Sequence, residues 1–372
     1  MIYLDNNATT PLCASAQQAW FEVSTLALNE SSIHQLGRQA KAYLMQSTDI
    51  FSRFFGVEND QILFTSSATE AINTFFYSFC QNQSGHILAG VCEHAATLEP
   101  LKKWSKQGWE VDFLSVDSTG HYNVEQILGL IRPNTKLVVL MATNNETGVN
   151  NSLATIASTL RSKGIEIFVD SVATAGKAPF QWYEGLSAAV ISAHKFHGPI
   201  GLAALALRKG FKLSPLLLGG AQQRGRRAGT VNVPLVVASA AALDQFLKNQ
   251  HSYIEQITNL RDYFEKQITS HIPGVEINGG YNRSSNVSNL YFEGIEAETL
   301  VMQLDHAGVL TSQGSACQSG ASEPSHVISA MHGLLRAKSS VRFSFSRMNN
   351  QQEIEIALSK VKQAVDFQRS LG

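Results

Sequence analysis

The chain has 372 residues, enough for a large domain with a smaller one attached and for an extensive apolar core. Its formal net charge of −1 excludes the basic field that nucleic acid calls for, and a charged content of 16%, below the usual ~25%, fits much buried surface. The four cysteines (Cys13, Cys80, Cys92 and Cys317) contain no C-x-x-C pair, which speaks against a disulfide framework or a zinc site and for a reducing, cytoplasmic compartment. No signal peptide is expected from the opening "MIYLDNNATTPL", and no membrane helix, because no apolar run reaches ~18 residues.

Seven short apolar runs predict strands at 61–65, 86–91, 111–116, 136–143, 165–170, 188–193 and 201–207. Helix-length stretches at 68–82, 94–107 and 152–163 separate several of them. Strands that alternate with helices and are apolar throughout predict an α/β fold: a mostly parallel seven-stranded sheet with helices on both faces. Beyond residue 234 the pattern changes to two long helices, then strands at 286–292 and 339–346 and a last helix at 351–369. This reads as a smaller α+β domain. The expected division is a large domain of 16–250, with 1–15 and 251–372 forming the small one.

In such sheets ligands bind beyond the carboxyl ends of the strands. Polar residues gather there. Ser66, Ser67 and Thr69 open a helix after the first strand, as an anion site or as ordinary caps. His94 follows the second strand, and Asn144, Asn145 and Glu146 follow the fourth. Asp170 ends the fifth, where a carboxylate needs a cation or a donor. Lys195 sits in "SAHKFHGP", just past a buried run, between two histidines and ahead of a Gly-Pro turn. A lysine beside a carboxylate, an imidazole and an anion site is a layout for holding pyridoxal phosphate. Three arginines near 224–227 read as site or interface charge rather than as a nucleic-acid contact.

Taken in chain order, "YLDNNATTP" (3–11), "SSATEA" (66–71), "TNNETGV" (143–149), "SAHKFHGPIG" (192–201), "RRAGT" (226–230), "GSACQS" (314–319) and "SSVRFSFSR" (339–347) resemble the cysteine desulfurases of the NifS/IscS type, in the class-V aminotransferase group of fold-type I pyridoxal-phosphate enzymes. The resemblance implies that Lys195 links covalently to the cofactor, that Asp170 pairs with its pyridine nitrogen and that His94 stacks on the ring as acid and base. It implies that Asn145 meets the phenolic oxygen and the substrate carboxylate. Ala68 (through its backbone), Thr69, Ser192 and His194 would hold the phosphate. Thr230 would reach the phosphate of a neighbouring subunit, which implies a homodimer. Arg342 would clamp the carboxylate of L-cysteine, as a guanidinium fork can.

"TSQGSACQSGASEPS" (311–325) is built mainly of small residues, which predicts a mobile loop. By the resemblance, Cys317 in this loop takes the sulfur as a persulfide and carries it to an acceptor protein of iron–sulfur or thiolation pathways. The other three cysteines lie in or beside apolar sequence and are expected to be packing residues. Metal, membrane and direct nucleic-acid contacts are not expected. Two departures stand out: Asn29-Glu30 replaces the group's Asn-Pro, and Ala173 replaces a glutamine that bonds the cofactor's phenolic oxygen. Ala173 keeps open a poorly active scaffold as an alternative, beside a selenocysteine lyase or another class-V lyase or aminotransferase.

Overall fold

The computed structural model describes residues 1–314 and 324–371. Its strands, in chain order, are β1 (Ile2–Tyr3), β2 (Ile62–Thr65), β3 (His86–Gly90), β4 (Glu110–Leu114), β5 (Thr135–Met141), β6 (Glu166–Asp170), β7 (Leu186–Ser192), β8 (Ala203–Leu207), β9 (Val275–Asn278), β10 (Val287–Phe292), β11 (Val309–Leu310) and β12 (Ser340–Ser344). Seven of them form the main sheet in the order β2-β8-β7-β6-β5-β3-β4. All neighbours are parallel except where β8 runs against both β7 and β2. The sheet is therefore mostly parallel, as the apolar runs imply, with one reversed strand.

Both faces of this sheet are covered over β2, β3 and β5 to β8, which is why those strands are buried at nearly every position, whereas the edge strand β4 is largely exposed. Val138, Leu140, Ile167 and Val169 point into one core, while Leu137, Val139 and Phe168 point into the other. The helix Ala68–Cys80 lies on the second face, where Phe75 meets Phe168 with ring centres 4.7 Å apart. Phe51, Phe54 and Phe55 of the helix Gln35–Phe55 fill the first core.

A third core, with Ile2, Leu4, Phe264, Phe292, Phe343 and Val361 among its members, lies under the antiparallel sheet β12-β10-β9. The two long helices expected after residue 234 are present, running on from one another over Val233–His271 and divided by a kink. The first buries Val236, Leu243 and Phe246 in the main core, and the second buries Ile257, Leu260 and Phe264 in the third. The bend falls at Asn249 (φ −119°, ψ 17°), whose Nδ2 donates to the Gln245 carbonyl at 2.9 Å. The polar "KNQHS" marks this division between the two helices. β9, at a sheet edge, has only four residues, with Val275 and Asn278 buried and Glu276 exposed, too short a pattern to stand out in the sequence.

The turn that carries Lys195 rests on glycine. Gly176 has φ +76°, and a Cβ on it would stand 2.4 Å from Phe196 Cβ and 3.0 Å from Phe196 Cα. Strain and overpacking then act together at one position, beside the residue next to Lys195. Gly176→Ala is expected to lose about 3 kcal/mol of stability in chemical denaturation. A loss below about 1 kcal/mol would contradict this packing.

Candidate active site

Every strand that runs in the common direction ends at the same edge, and all of them but β4 deliver a polar group there. β2 leads to Ser66–Thr69, β3 to His94, β5 to Thr143 and Asn145, β6 to Asp170, and β7 to Ser192 and Lys195. The reversed β8 starts at this edge and adds Ile200 and Gly201 just before it. Arg342 arrives from β12 of the second sheet. These residues line one cavity of about 260 Å³. Of the sequence-predicted residues, Ala68, Thr69, His94, Asn145, Asp170, Ser192, His194, Lys195 and Arg342 all face it, and so does Ala173. Thr230 does not: it is exposed, on a loop outside the cavity of its own chain. Cys317 lies outside the described residues. Ser325 and His326, which follow it, are fastened to the site, through the Glu146 carboxylate and the Glu93 carbonyl respectively.

A strap from the N-terminus closes the edge. Lys195 Nζ donates to the carbonyls of Asn7 and Ala8. Thr10 donates to the His194 carbonyl through both its N–H and its hydroxyl, each at 2.8 Å. His197 takes a left-handed conformation (φ 68°) that lets its N–H donate to Thr10 Oγ1 at 2.7 Å while its carbonyl accepts from Cys13 N–H at 3.0 Å. Further back along the strap, Asn7 Nδ2 donates to the Asn145 carbonyl, and Asp5 pairs with Arg342 at 2.8 Å. Arg342 is 1% exposed; one Nη is spent on Asp5 and the other on the Asn145 carbonyl, while its buried Nε has no protein partner.

Burial governs the charges. It pushes the Asp170 carboxyl above its ordinary value, against the Val172 N–H bond at 2.9 Å and the nearby His94 and Lys195. Glu93 is pushed well above, first by complete burial and then by Asp170. Its Oε1 accepts from Met141 N–H at 2.7 Å, and Met141 is the residue that pairs with Asp170 across β5 and β6. Burial drives Lys177 well below its ordinary value, helped by Lys195 and Arg342, and its Nζ has no partner. His194 falls to about 4 for the same reason, with Lys195 and Lys177 adding to it, so its ring is neutral near pH 7. His94 accepts from Ala96 N–H through Nδ1 at 3.1 Å, so the proton of its neutral ring sits on Nε2.

Cys80 and Cys92 are buried, and burial pushes both thiols up to about 12, which suits packing residues; Cys13 is buried as well. Sequence reading missed Asp5, Glu93 and Lys177. None carries a pattern of its own: each is a single charge in a loop or turn, and only the fold buries it. Among the described residues no acidic, histidine and cysteine group could hold a metal ion, and no helix is long and apolar enough to cross a membrane.

The residues present fit pyridoxal phosphate. A buried carboxyl whose proton affinity burial has raised suits a protonated ring nitrogen, and an orphaned guanidinium Nε suits an anionic substrate group. Lys195, the hydroxyls of Thr69 and Ser192 and the neutral His194 ring line the same cavity beside the opening of the helix Ala68–Cys80, donors that suit a phosphate.

The profile of the Aminotransferase class-V family matches residues 2–356. A protein of Nostoc sp. called "Cysteine desulfurase" is 35% identical over 100% of this chain and 94% of its own length. One of Dictyoglomus turgidum called "Cysteine desulfurase IscS" is 34% identical over 100% of this chain and 96% of its own. A solved "NifS-like protein" superposes with a TM-score of 0.91 at 30% identity, covering 98% of this chain and 99% of that one.

Glu93 gives a pH test of the buried edge. Its carboxyl holds a proton more tightly folded than unfolded, so its contribution to stability is full below the ordinary 4.5 and is lost as pH rises toward its folded value. Glu93→Gln keeps an oxygen for the Met141 N–H and removes the charge. Its melting temperature relative to the parent chain is expected to rise from pH 5 to pH 8; a constant difference would contradict the assignment.

Proposed function

The chain belongs to the class-V aminotransferase family, and on that premise we propose that it is a pyridoxal-phosphate-dependent cysteine desulfurase, which converts L-cysteine to L-alanine and leaves the sulfur on Cys317 as a persulfide. The observation that carries this reading is the convergence of Lys195, Asp170, His94 and Arg342, from four separate strand ends or strands, on one cavity. The names borne by the relatives favour cysteine over other amino-acid substrates.

Pyridoxal phosphate bound here supplies an electron sink for the pair left at the substrate Cα. The first turn of the helix Ala68–Cys80 binds the phosphate through Ala68 and Thr69, with Ser192 and His194 beside it. Asp170 orients the ring through its nitrogen, and Asn145 bonds the phenolic oxygen. Arg342 binds the substrate carboxylate through its unengaged Nε and the Nη nearest it. Lys195 Nζ, now held by the Asn7 and Ala8 carbonyls, would hold the cofactor and move the proton at the substrate Cα. His94 Nε2 moves a proton at the substrate sulfur. The Cys317 thiolate would form a bond to that sulfur as the carbon–sulfur bond breaks, the electron pair passing to the substrate carbon, which then takes up a proton to give alanine.

Ala173 places a methyl on the cavity wall where it can donate nothing. A hydrogen bond to a charged oxygen is worth about 1.5–3 kcal/mol, so its lack weakens hold on the cofactor without removing Lys195 or Asp170. Thr230, exposed outside its own cavity, would serve a second copy, a reading that supports a homodimer. An acceptor protein of an iron–sulfur or thiolation pathway takes the sulfur onward, in a reducing cytoplasm that suits buried free thiols.

The test is alanine and persulfide formation from L-cysteine by the cofactor-loaded chain. Cys317→Ser is expected to abolish transferable persulfide, and Arg342→Lys to raise KM for cysteine about 10- to 100-fold through loss of the fork. Undiminished persulfide transfer in Cys317→Ser, or an unchanged KM in Arg342→Lys, would contradict these roles.

A further inference from the structure

Next to the residues that would hold the phosphate stands a charge that ought to oppose it. The helix Ala68–Cys80 opens with Ala68 and Thr69, both on the cavity wall, and the next residue is Glu70. A carboxylate in a first helical turn is favourable to the helix dipole on its own. Beside a phosphate dianion it is a like charge, and in a partly buried setting such repulsion is weakly screened.

Glu70 does not point away. Its Oε2 accepts from the Ser66 N–H at 2.9 Å and from the Ser66 hydroxyl, so it fixes the residue that leads from β2 into the cavity wall. Ser66 itself lines the cavity. The carboxylate is then covered by Arg227: Nε donates to Oε1 at 2.8 Å and Nη2 to Oε2 at 3.3 Å. The two side chains are only 20% and 12% exposed. Partial burial pushes the Glu70 carboxyl up, but the bonds from Arg227 and Ser66 outweigh this and hold it below its ordinary value, so it stays ionised.

Arg227 is itself held by a stiff loop. Gln223, Arg224 and Gly225 run through the left-handed region at φ 48°, 64° and 74°. Gln223 spends its side chain on the edge of the main sheet, accepting from Phe64 N–H at 2.7 Å and donating to the Phe64 carbonyl at 2.8 Å. Arg226 donates to the carbonyls of Asp60 and Ile62, both at 2.8 Å. A strained turn of this kind persists because its surroundings over-determine it. What it delivers is one guanidinium, laid flat on Glu70, in the loop that ends at Thr230.

We propose that Arg227 is a positioning residue for the cofactor phosphate: it neutralises Glu70 and locks Glu70 onto Ser66, so that the first helical turn meets the phosphate with its donors set and no net negative charge. This rests on the cofactor reading of the site and not on the choice of substrate. Arg227 touches no ligand in this role; it acts through Glu70.

The experiment compares the affinity of the full-length apoenzyme for pyridoxal phosphate and for pyridoxal, which lacks the phosphate, by absorbance titration. Arg227→Ala is expected to weaken pyridoxal phosphate about 10- to 30-fold, the effect of one like charge left uncompensated in a partly buried setting, and pyridoxal by less than about threefold. Arg227→Ala combined with Glu70→Gln is expected to return within about threefold of the parent chain, because the charge to be neutralised is gone. Should Arg227→Ala not fold, Arg227→Gln carries the same comparison. An unchanged affinity for pyridoxal phosphate, an equal loss for both ligands, or no recovery in the double variant would overturn the proposal. A parent chain that takes up no pyridoxal phosphate would instead overturn the reading of the whole site, and the relay with it.

Discussion

An ammonium group that emerges from a buried strand end must find oxygen atoms, and Lys195 finds them on the N-terminal strap. Its Nζ donates to Asn7 and Ala8, residues from the far end of the sequence. The same strap is hydrogen-bonded to the backbone at His194 and His197, so the turn that carries Lys195 is gripped on both sides. A few residues earlier, Asp5 pairs with Arg342, and Asn6 N–H and Asn7 N–H reach Ser344 on the same strand as Arg342. One short segment thus joins the carboxyl edge of the main sheet to the second sheet. The residues of the site come from opposite ends of the chain, and this strap is what brings them to one cavity.

Charge in this cavity is arranged by desolvation as much as by pairing. Groups with a good partner keep their charge: Arg342 has Asp5, and Glu70 has Arg227. Groups without one are driven toward neutrality, as burial does to Glu93, Lys177 and His194. The outcome is a pocket with few free charges, in which the charges that a ligand brings decide what pairs with Asp170 and with the unpartnered Nε of Arg342. Low effective dielectric makes those few encounters strong and makes a misplaced like charge costly, and so a salt bridge behind the cavity wall can matter to the phosphate in front of it.

The main sheet was legible because strands covered on both faces must be apolar throughout, and seven such runs stand out. The reversal of β8 was not, since "GLAALAL" is as apolar as its parallel neighbours and nothing in one strand encodes its direction. The two helices within Val233–His271 were legible because a polar stretch separates two apolar patterns, and each half packs on a different core. At the site, Asp170 and Lys195 were visible as charges at the ends of apolar runs. The roles of Arg342, Thr230 and Cys317 came from family resemblance instead. Arg227 and Glu70 are 157 positions apart and Arg342 and Asp5 are 337 apart, so these pairings exist only once the chain is folded.

The claim at the centre of this account is that Lys195, and no other buried amine, is the one that takes the cofactor. Lys177 lies close enough to feel its charge and makes the comparison demanding. Adding pyridoxal phosphate, reducing with borohydride and locating the modified lysine by peptide mass mapping decides it. The account predicts a single modified peptide carrying Lys195, and none in Lys195→Ala. Modification at Lys177, or undiminished modification elsewhere in Lys195→Ala, would contradict it.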